Sequence, residues 1–305
     1  MQIAVAADAN FLMPLAVTLR SLAHAHSPDE IHVTVMHDDL SASDRARVED
    51  GLVGLRPTWL CVPRERVDGT SYPPYLGRAS TFRLLLPELM PADIGRVIYL
   101  DTDTVVTGTL RPLWETELRG AYVAAVRDAA TPFTAGPLGP DWRALGLDPG
   151  GAYFNSGVLV IALDAWRAAG IPERAMELLR SAPLRWGDQD ALNVLLRDRW
   201  MELPRRWNLQ TPDVLQLGFA WALWREDVER ALANPAVIHY TDRVKPWHAE
   251  GHNPLDGRWY EMLDGTAWGH WRPDDRTRPL YRRVGSRTKS AWRVLTAGGS
   301  VIEAT

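Results

Sequence analysis

The stretch RVIYLDTDTVV, residues 96–106, decides how this chain folds. Its apolar run, residues 97–100, leads directly into two aspartates one residue apart, Asp101 and Asp103. In an extended chain residues i and i+2 point to the same side, so both carboxylates can face one object. Two neighbouring carboxylates repel each other unless a cation or a proton lies between them. The stretch therefore predicts a buried strand that ends in a site for a divalent cation, which prefers oxygen ligands.

An alternative structure for this stretch is a turn in which the aspartates accept hydrogen bonds from backbone amides. The spacing alone does not distinguish the two, because chance gives about two such pairs in a chain of this composition. A second pair does occur, at Asp188 and Asp190. The context of the first pair favours ligand binding, because it follows an apolar strand, and open α/β sheets bind ligands beyond the carboxyl ends of their strands.

The segments on either side of this stretch alternate between two hydrophobic patterns. Short apolar or alternating runs predict strands, and apolar residues at helical spacing predict helices. Strands are predicted at residues 2–8, 31–38, 58–63, 121–128, 152–163 and 236–242, and helices at residues 14–26, 41–55, 77–90 with a break at Pro87, 171–182 and 188–199. Such alternation is typical of an α/β fold with a parallel or mixed sheet covered on both faces.

The composition is that of an ordinary globular protein with a sizeable core. The 305 residues are 46% hydrophobic and 24% charged, and the net charge of −4 argues against nucleic acid as a partner. Cys61 is the one cysteine, so no internal disulfide can form, as is usual in a reducing compartment. The N-terminal sequence lacks the basic and long apolar regions of a signal peptide, and no window of about 18 apolar residues exists. We therefore expect a cytoplasmic protein.

The C-terminal part of the chain differs in composition from the rest. Residues 271–293 carry a net charge of +6, so the remainder carries −10. Residues 271–295 mix Arg and Lys with Trp and Tyr, a composition that favours the surface of an anionic membrane. A solvated C-terminus and a segment that binds an acidic protein are the alternatives. We expect residues 1–250 to form one domain and residues 251–305 a C-terminal extension that contacts the inner face of a membrane peripherally or binds a partner.

Several motifs, in order over residues 1–250, resemble those of glycosyltransferase family 8. They are AADAN (6–10), STFRLLLPEL (80–89), YLDTDTVV (99–106), YFNSGVLVIAL (153–163), DQD (188–190) and HYTDRVKPWH (239–248). The family comprises retaining, metal-dependent transferases that use nucleotide-sugar donors, among them lipooligosaccharide α-galactosyltransferases and glycogenin. The resemblance implies the GT-A fold, a Rossmann-like, mixed but mainly parallel sheet flanked by helices, here followed by a basic and aromatic tail.

For the nucleotide, the resemblance implies contacts from the first two motifs. Ala6, Asp8 and Asn10 would hold uracil and ribose, and Arg83 would reach the nucleotide-sugar, since a guanidinium suits phosphate and sugar oxygens. Read without the resemblance, AADAN is an ordinary turn between a strand and a helix, and Arg83 is a solvated arginine on a helix.

For the metal, the resemblance implies that Asp101, Asp103 and His239 are the protein ligands, with Thr102 beside them against the donor. His239 follows an apolar run, so a core histidine with satisfied hydrogen bonds is the alternative. One imidazole among the ligands favours Mn²⁺, and Mg²⁺ is the alternative ion.

The last motif, HYTDRVKPWH, would also bind the diphosphate through Lys245. This chain departs from the family there, because Asp242 stands where the family usually has glycine. A carboxylate near a diphosphate repels it. Either the loop is displaced, or Asp242 serves an acceptor.

The sugar would lie against residues of the remaining two motifs. The resemblance implies that Asn155 and Ser156 contact the donor and that Asp188, Gln189 and Asp190 form the catalytic centre, with Asp188 on the sugar hydroxyls and Gln189 beneath the anomeric carbon. Gly157 would allow close approach of the backbone. Without the resemblance, Asp188 reads as the N-cap of a helix.

Together these expectations describe a retaining hexosyltransferase. It would move galactose or glucose from UDP-galactose or UDP-glucose to a carbohydrate, lipid-linked or natural-product acceptor, beneath a Gly- and Pro-rich segment at residues 129–151. A metal-dependent sugar nucleotidyltransferase, a catalytically weak or silent UDP-sugar binding protein and an inverting transferase are the alternatives. The first of these would need a basic, Gly-rich loop after the first strand, and AADANFLMP is neither.

Overall fold

The structure, a computed structural model, describes residues 1–70, 77–241 and 243–273 of the chain. Asp242 and the part of the basic segment beyond residue 273 lie outside the described residues. Within the described ranges, no helix is long and apolar enough to cross a membrane.

A mixed sheet forms the centre of the fold. The strands of the described residues are β1 (Gln2–Ala6), β2 (His32–His37), β3 (Thr58–Cys61), β4 (Arg96–Leu100), β5 (Thr104–Val106), β6 (Val123–Arg127), β7 (Phe154–Ala162), β8 (Trp200–Glu202), β9 (Leu209–Gln210) and β10 (Val237–His239). Seven of them form one sheet in the order β3-β2-β1-β4-β7-β6-β8, and β5, β10 and β9 form a small second sheet. In the large sheet only β7 is antiparallel to its neighbours, β4 and β6, so the sheet is mainly parallel, as predicted.

Helices cover both faces of this sheet. The α-helices of the described residues are α1 (Leu12–Ala25), α2 (Ala42–Glu49), α3 (Leu86–Leu89), α4 (Arg111–Trp114), α5 (Leu163–Ala168), α6 (Ile171–Ser181), α7 (Asp188–Leu196), α8 (Thr211–Val214), α9 (Gly218–Leu223), α10 (Arg225–Ala233) and α11 (Asp256–Leu263). Short 3-10 helices run over Ala9–Phe11, Pro28–Glu30, Arg64–Arg66, Arg78–Leu85 and Arg205–Trp207.

The central strands are apolar on both faces because a core lies on each side of the sheet. In β1 the side chains of Ile3 and Val5 enter one buried cluster, and those of Ala4 and Ala6 enter the other, as alternation along a strand requires. Helix α1 contributes to the first cluster, and helices α5, α6 and α7 contribute to the second. Each fully buried Ile or Val side chain contributes roughly 1.5–3 kcal/mol relative to an exposed one. Burial on both faces holds the strands in place, and with them the edge of the sheet at which the polar residues of the motifs lie.

The segment at residues 77–90 differs from the prediction. A 3-10 helix over Arg78–Leu85 passes directly into α3, and Pro87 lies in the first turn of α3. A proline is tolerated in the first turn because the backbone N–H that it lacks would have no partner in the helix. The predicted break at Pro87 is therefore wrong, and the change of helix type occurs one residue earlier, at Leu86.

The segment after residue 250 packs on the body of the molecule. Helix α11 contacts α1, and Trp259 of α11 is fully buried in a cluster with Val17 and Ile238. Trp271 packs edge-on against Trp259, with ring centroids 6.4 Å apart. These contacts join the segment to residues before position 250. The division of the chain into two parts at residue 250 stays a prediction.

Candidate functional site

The aspartate pair lies where the large sheet meets the small one. Asp101 follows β4, whose parallel neighbour β1 ends at the same edge of the sheet. Asp103 precedes β5, and the antiparallel pairing of β5 with β10 places His239 opposite Thr104. Ligand atoms of Asp101, Asp103 and His239, one from each, lie within 4.8 Å of one another. The structure thus brings together the three residues that the resemblance assigns to a metal.

The ring of His239 is buried, but one of its nitrogens faces the carboxylates. Nε2 lies 3.1 Å from Asp103 Oδ1 and 3.8 Å from Asp101 Oδ2. The other oxygen of Asp103 lies 2.6 Å from Lys245 Nζ. Burial by itself would raise the pKa of Asp103, but Lys245 and His239 outweigh burial and lower that pKa well below its usual range. Asp103 is therefore ionised and able to bind a cation.

A glycine lets the histidine and the first aspartate approach the sheet. Asp101 N donates to Gly157 O at 2.8 Å, which holds the start of the loop against β7. A Cβ atom on Gly157 would lie 2.1 Å from His239 Cε1 and 2.7 Å from Asp101 Oδ2, far inside van der Waals contact. His239 and Asp101 are thus packed directly on the backbone of β7.

Helix α1 holds the backbone of the loop that carries the aspartates. Thr18 Oγ1 donates to the carbonyl oxygens of Thr102 and Thr104 at 2.9 and 2.8 Å, and Thr104 Oγ1 donates to Asp101 O at 2.7 Å. These bonds pair the carbonyls of the loop, while the carboxylates of Asp101 and Asp103 interact with other side chains. The turn-capping alternative is therefore not what the structure has. Contact of Thr102 with a donor stays a prediction.

Arg83 is buried between two carboxylates, so it is not the solvated arginine of the alternative interpretation. Its Nη2 donates to Asp101 Oδ1 at 2.7 Å, and its Nε lies 3.0 Å from Asp188 Oδ2. Its Nη1 donates to the carbonyl oxygen of Ser156, and the guanidinium lies over the ring of Tyr99. Burial by itself would lower the pKa of Arg83, but the two aspartates outweigh burial and raise it. Arg83 therefore joins the aspartate pair to Asp188.

The first turn of α7 directs two side chains toward the end of β7 that carries the motif YFNSG. Gly187 takes the N-cap position, so Asp188 is a helical residue and not the cap. Burial raises the pKa of Asp188 to about 6. Gln189 Oε1 accepts from Ser156 N at 3.0 Å and from Asn155 Nδ2 at 3.2 Å. The structure thus joins Gln189 to both residues predicted to contact the donor, and Asp188 to one of them, Ser156, whose Oγ lies 3.4 Å from Asp188 Oδ2.

Asp128 is a buried carboxylate of this site that the sequence analysis did not single out. Its Oδ2 accepts from Asn155 Nδ2 at 3.1 Å and from Gln189 Nε2 at 3.3 Å. Asp128 follows the apolar strand β6 in the same way that Asp101 follows β4, and that signal was available in the sequence.

Asn208 is a second buried residue that the sequence analysis missed. Its Nδ2 donates to Asn155 Oδ1 at 2.9 Å, and its Oδ1 lies 2.9 Å from His239 Nδ1. It is fully buried. No sequence pattern marks it, because its place depends on the pairing of β9 with β10.

Asp190 is buried as well, and its carboxylate holds the turn before α7. It accepts from the hydroxyl of Tyr153 and from the backbone N–H groups of Arg185 and Trp186, at 2.6 and 2.8 Å for the latter two. Burial raises its pKa. These contacts fix the turn that leads into Gln189, and a part of Asp190 in catalysis stays a prediction.

The Gly- and Pro-rich segment at residues 129–151 lies against the same turn. Trp186 Nε1 donates to Leu138 O at 2.7 Å, and Arg185 Nη1 donates to Pro137 O at 3.1 Å. The segment is thereby placed beside the start of α7. Its closing over a bound donor stays a prediction.

The motif AADAN begins at Ala6, the last residue of β1. It therefore lies at the same edge of the sheet as Asp101, which follows the neighbouring strand β4. Asp8 Oδ1 accepts from Asn10 N at 2.8 Å and caps the 3-10 helix Ala9–Phe11, while Ala6 is buried and Asn10 is exposed. The turn between strand and helix is thus present, at the edge where a ligand of the aspartate pair would lie. Contacts of these residues with a nucleotide stay a prediction.

This arrangement can hold a divalent cation. Two carboxylates and an imidazole nitrogen converge on one space, each with one ligand atom. The same place suits an anionic ligand that is bound together with a cation. The backbone comes close to it at Gly157, and Lys245 brings a positive charge beside Asp103.

Several known proteins are similar to this chain over most of its length. The model of Glycosyl transferase family 8 matches residues 2–251. General stress protein A of Bacillus subtilis (strain 168) is 28% identical over 277 residues, which are 88% of this chain and 94% of that protein. Lipopolysaccharide 1,2-glucosyltransferase of Escherichia coli (strain K12) is 27% identical over 283 residues, 90% of this chain and 81% of that protein. A crystal structure of the galactosyltransferase LgtC, in complex with donor and acceptor sugar analogues, has a TM-score of 0.77 at 28% identity and covers 87% of this chain and 96% of that one.

Proposed function

The chain belongs to glycosyltransferase family 8 and has the GT-A fold, and from this premise we propose that it is a metal-dependent, retaining hexosyltransferase. It moves galactose or glucose from a UDP-sugar to a hydroxyl of a carbohydrate, lipid-linked or natural-product acceptor. The observation that carries the proposal is the cluster of Asp101, Asp103 and His239. The similarity to a glucosyltransferase and to a galactosyltransferase supports the choice of sugar.

The residues of the cluster fit a divalent cation. Asp101 and Asp103 would hold it through carboxylate oxygens and His239 through Nε2, the nitrogen that faces both carboxylates. The imidazole ligand favours Mn²⁺, and Mg²⁺ is compatible with the same set. When bound, the cation stabilises the negative charge that develops on a leaving diphosphate.

The UDP part of the donor would lie along the edge from β1 to β4. In this proposal Ala6, Asp8 and Asn10 hold the uridine at the end of β1. Lys245 adds a compact positive charge for the diphosphate from its position beside Asp103. Arg83 keeps Asp101 oriented and contributes positive charge to the same region.

The sugar would lie between the end of β7 and the start of α7. Asn155 and Ser156 contact the donor, Asp188 binds sugar hydroxyls, and Gln189 lies beneath the anomeric carbon. Because Asp188 is engaged by Arg83 and an amide is a weak nucleophile, we favour same-face attack over a covalent intermediate. The acceptor oxygen then bonds to the anomeric carbon as the bond to the diphosphate breaks, and a phosphate oxygen takes the acceptor proton.

A donor screen tests this proposal. Purified protein with Mn²⁺ should release UDP from UDP-galactose or UDP-glucose, and excess EDTA should stop the release. A sugar nucleotidyltransferase would instead make a nucleotide-sugar from UTP and a sugar phosphate, and a silent binding protein would bind UDP without release. Mass spectrometry of the product identifies the transferred sugar, and its anomeric configuration distinguishes retention from inversion.

Asp103→Ala should abolish both the UDP release and the Mn²⁺-dependent binding of UDP while the fold persists. The reason is that Asp103 supplies a ligand oxygen to the cluster and balances the charge of Lys245. Calorimetry measures the binding and circular dichroism checks the fold. Asp198→Ala, at an exposed position just beyond the C-terminal end of α7, is the control and should keep both activities. Full activity of Asp103→Ala would exclude the metal assignment.

A further inference from the structure

We propose that Asn208 is a positioning residue of the metal site, because it fixes which nitrogen of His239 carries the proton. Asn208 lies between the 3-10 helix Arg205–Trp207 and β9, and it is 0% exposed. Its Oδ1 lies 2.9 Å from His239 Nδ1, and its Nδ2 donates to Asn155 Oδ1 at 2.9 Å. The inference rests on the proposed metal dependence and adds to the site a residue that itself touches neither metal nor donor.

The direction of these hydrogen bonds follows from a group that can only donate. Gly157 N donates to Asn155 Oδ1 at 3.0 Å, which identifies that atom as an acceptor. Asn208 must therefore turn its amide nitrogen to Asn155 and its carbonyl oxygen to His239. Since a carbonyl oxygen only accepts, His239 Nδ1 carries a proton.

Asp128 fixes the same direction from the other side of Asn155. Its Oδ1 accepts from the backbone N–H groups of Ala130 and Thr131 at 2.9 and 2.7 Å, and its Oδ2 accepts from Asn155 Nδ2 at 3.1 Å. If the amide of Asn155 were turned over, its oxygen would face a carboxylate and its nitrogen would face the N–H of Gly157. The contacts at both ends of the Asn155 amide thus hold it in one orientation. This orientation in turn determines which end of the Asn208 amide faces Asn155 and which end faces His239.

The consequence for the histidine is that Nε2 is the nitrogen left to bind a cation. With the proton on Nδ1, the other nitrogen, Nε2, is the one that faces Asp103 Oδ1 at 3.1 Å and Asp101 Oδ2 at 3.8 Å. A histidine binds a metal through its unprotonated nitrogen, and the partner of the other nitrogen sets both tautomer and ring orientation. Without Asn208, the ring of His239 loses the partner that selects Nε2 as the ligand.

Mn²⁺ affinity of the full chain, measured by calorimetry without nucleotide, tests this role. Asn208→Leu should weaken Mn²⁺ binding about 10- to 100-fold, the loss that is usual when the partner of a metal-binding histidine is removed. Asn208→Asp keeps an acceptor for Nδ1 but places a carboxylate oxygen against Asn155 Oδ1, so it should lose less Mn²⁺ affinity than Asn208→Leu.

Asn193→Leu is the matched control for the loss of a buried asparagine. Asn193 bonds only to backbone groups of Phe154 and Gln189 in the described network, at 2.9 Å each, and is not a neighbour of His239 in it. This variant should lower Tm and leave Mn²⁺ affinity unchanged. A purely structural role of Asn208 would make the two Leu variants behave alike.

The outcomes separate the inference from the proposed function. Mn²⁺ binding of Asn208→Leu at wild-type strength, or an equal loss in Asn193→Leu, would overturn the role of Asn208 while the metal site stands. A wild-type chain that binds no Mn²⁺ would overturn the metal site and the inference with it. If Asn208→Leu does not fold, Asn208→Ala takes its place: a loss of Mn²⁺ affinity of about tenfold or more supports the role of Asn208, and wild-type affinity overturns it.

Discussion

At the residue scale, the geometry of the site depends on how closely the backbone of β7 approaches the ring of His239. The ring of His239 and the carboxylate of Asp101 occupy the space that a side chain at position 157 would need. Protein interiors are packed so closely that even one extra methyl group can destabilise the folded state. The backbone of β7 thus limits where the ring of His239 can lie, although it supplies no ligand atom.

Gly157→Ala should therefore disrupt the metal site without touching a ligand. The new methyl group would meet His239 Cε1 at 2.1 Å, so the ring must move away from the aspartates. We expect Mn²⁺ affinity to fall about tenfold or more, and the free energy of unfolding to fall by about 1–3 kcal/mol. Calorimetry and urea unfolding measure the two effects.

The matched control for this change is Gly108→Ala. A Cβ atom there would lie 3.9 Å from Ala236 Cα, an ordinary contact. Unchanged Mn²⁺ affinity in both alanine variants would mean that the ring of His239 is not held where the metal must bind.

The sequence could predict the residues whose motifs carry the chemistry, but not the ones that orient them. Asp101, Asp103 and His239 come together as expected, although His239 lies 136 residues after Asp103 in the chain. Asn208 follows a tryptophan in a segment with no recognisable pattern, and it meets His239 only because β9 pairs with β10. A contact that depends on how a two-residue strand pairs with its neighbour leaves no periodic hydrophobic pattern in the sequence.

At the element scale, the strands with long apolar runs were predictable, whereas among the strands of two or three residues only β10 was predicted. The strands β1, β2, β4 and β7 lie where their apolar runs predicted them, whereas β5, β8 and β9, with two or three residues each, were missed. Such strands are stabilised by pairing with their neighbours rather than by their own propensity. Helix α2 ends at Glu49, short of the predicted residue 55, because Gly51 and Gly54 adopt positive φ angles of 89° and 77°.

Asp190→Asn should slow sugar transfer but leave UDP affinity nearly unchanged. The carboxylate of Asp190 holds the backbone of Arg185 and Trp186, and so the approach of the chain to Gln189, whereas the proposed UDP contacts lie on other strand ends. Weaker hydrogen bonds at this turn should also lower the free energy of unfolding by about 1–3 kcal/mol. Steady-state kinetics, calorimetry with UDP and thermal unfolding measure the three effects.

The control is Asp198→Asn, whose side chain is exposed beyond the end of the same helix. It should change neither turnover nor stability. A large loss of UDP affinity in Asp190→Asn would show that this turn supports the nucleotide and not the sugar.

At the scale of the whole molecule, three carboxyl groups make stability depend on pH. Burial raises the pKa of Asp188, Asp213 and Asp256 to about 6 each, from an ordinary value of 3.8. Between about pH 4 and about pH 6 the folded state therefore binds protons that the unfolded chain has already lost. Stability that comes from a raised pKa is lost as the pH rises through the folded value, so the free energy of unfolding should fall over this window. The lowered pKa of Asp103 acts in the opposite direction below this window. Burial also lowers the pKa of His26, His37 and His248, which acts in the opposite direction within the window, but these shifts are smaller than those of the three carboxyl groups.

Thermal unfolding of the metal-free protein should accordingly give a higher Tm at about pH 5 than at about pH 7. Asp256→Asn keeps an acceptor for Asn253 N, which lies 3.1 Å from the Asp256 carboxylate, and removes one of the three titrating groups. The difference in Tm between the two pH values should shrink in this variant and persist in Asp198→Asn. A wild-type Tm that rises from the lower to the higher pH would contradict the shifted carboxyl groups.

The uneven charge of the molecule is the second whole-molecule property, and the structure shows where the basic segment can be cut. Trp271 packs against Trp259, and Arg272 Nη2 donates to Asp264 Oδ1 at 2.6 Å, so both belong to the body. A truncation after Pro273 would remove most of the basic residues and keep these contacts.

Removal of residues 274–305 should abolish binding to anionic vesicles and leave UDP release at the wild-type rate. Each Lys or Arg near an anionic surface contributes about 1 kcal/mol, and aromatic rings favour the interface. The full chain should sediment with vesicles that contain phosphatidylglycerol, not with neutral phosphatidylcholine, and less in high salt because of screening. A full-length variant in which Arg282, Arg283 and Arg287 become glutamine controls for chain length and should sediment less than wild type. Equal sedimentation of the full and truncated chains would show that the basic segment does not bind the membrane.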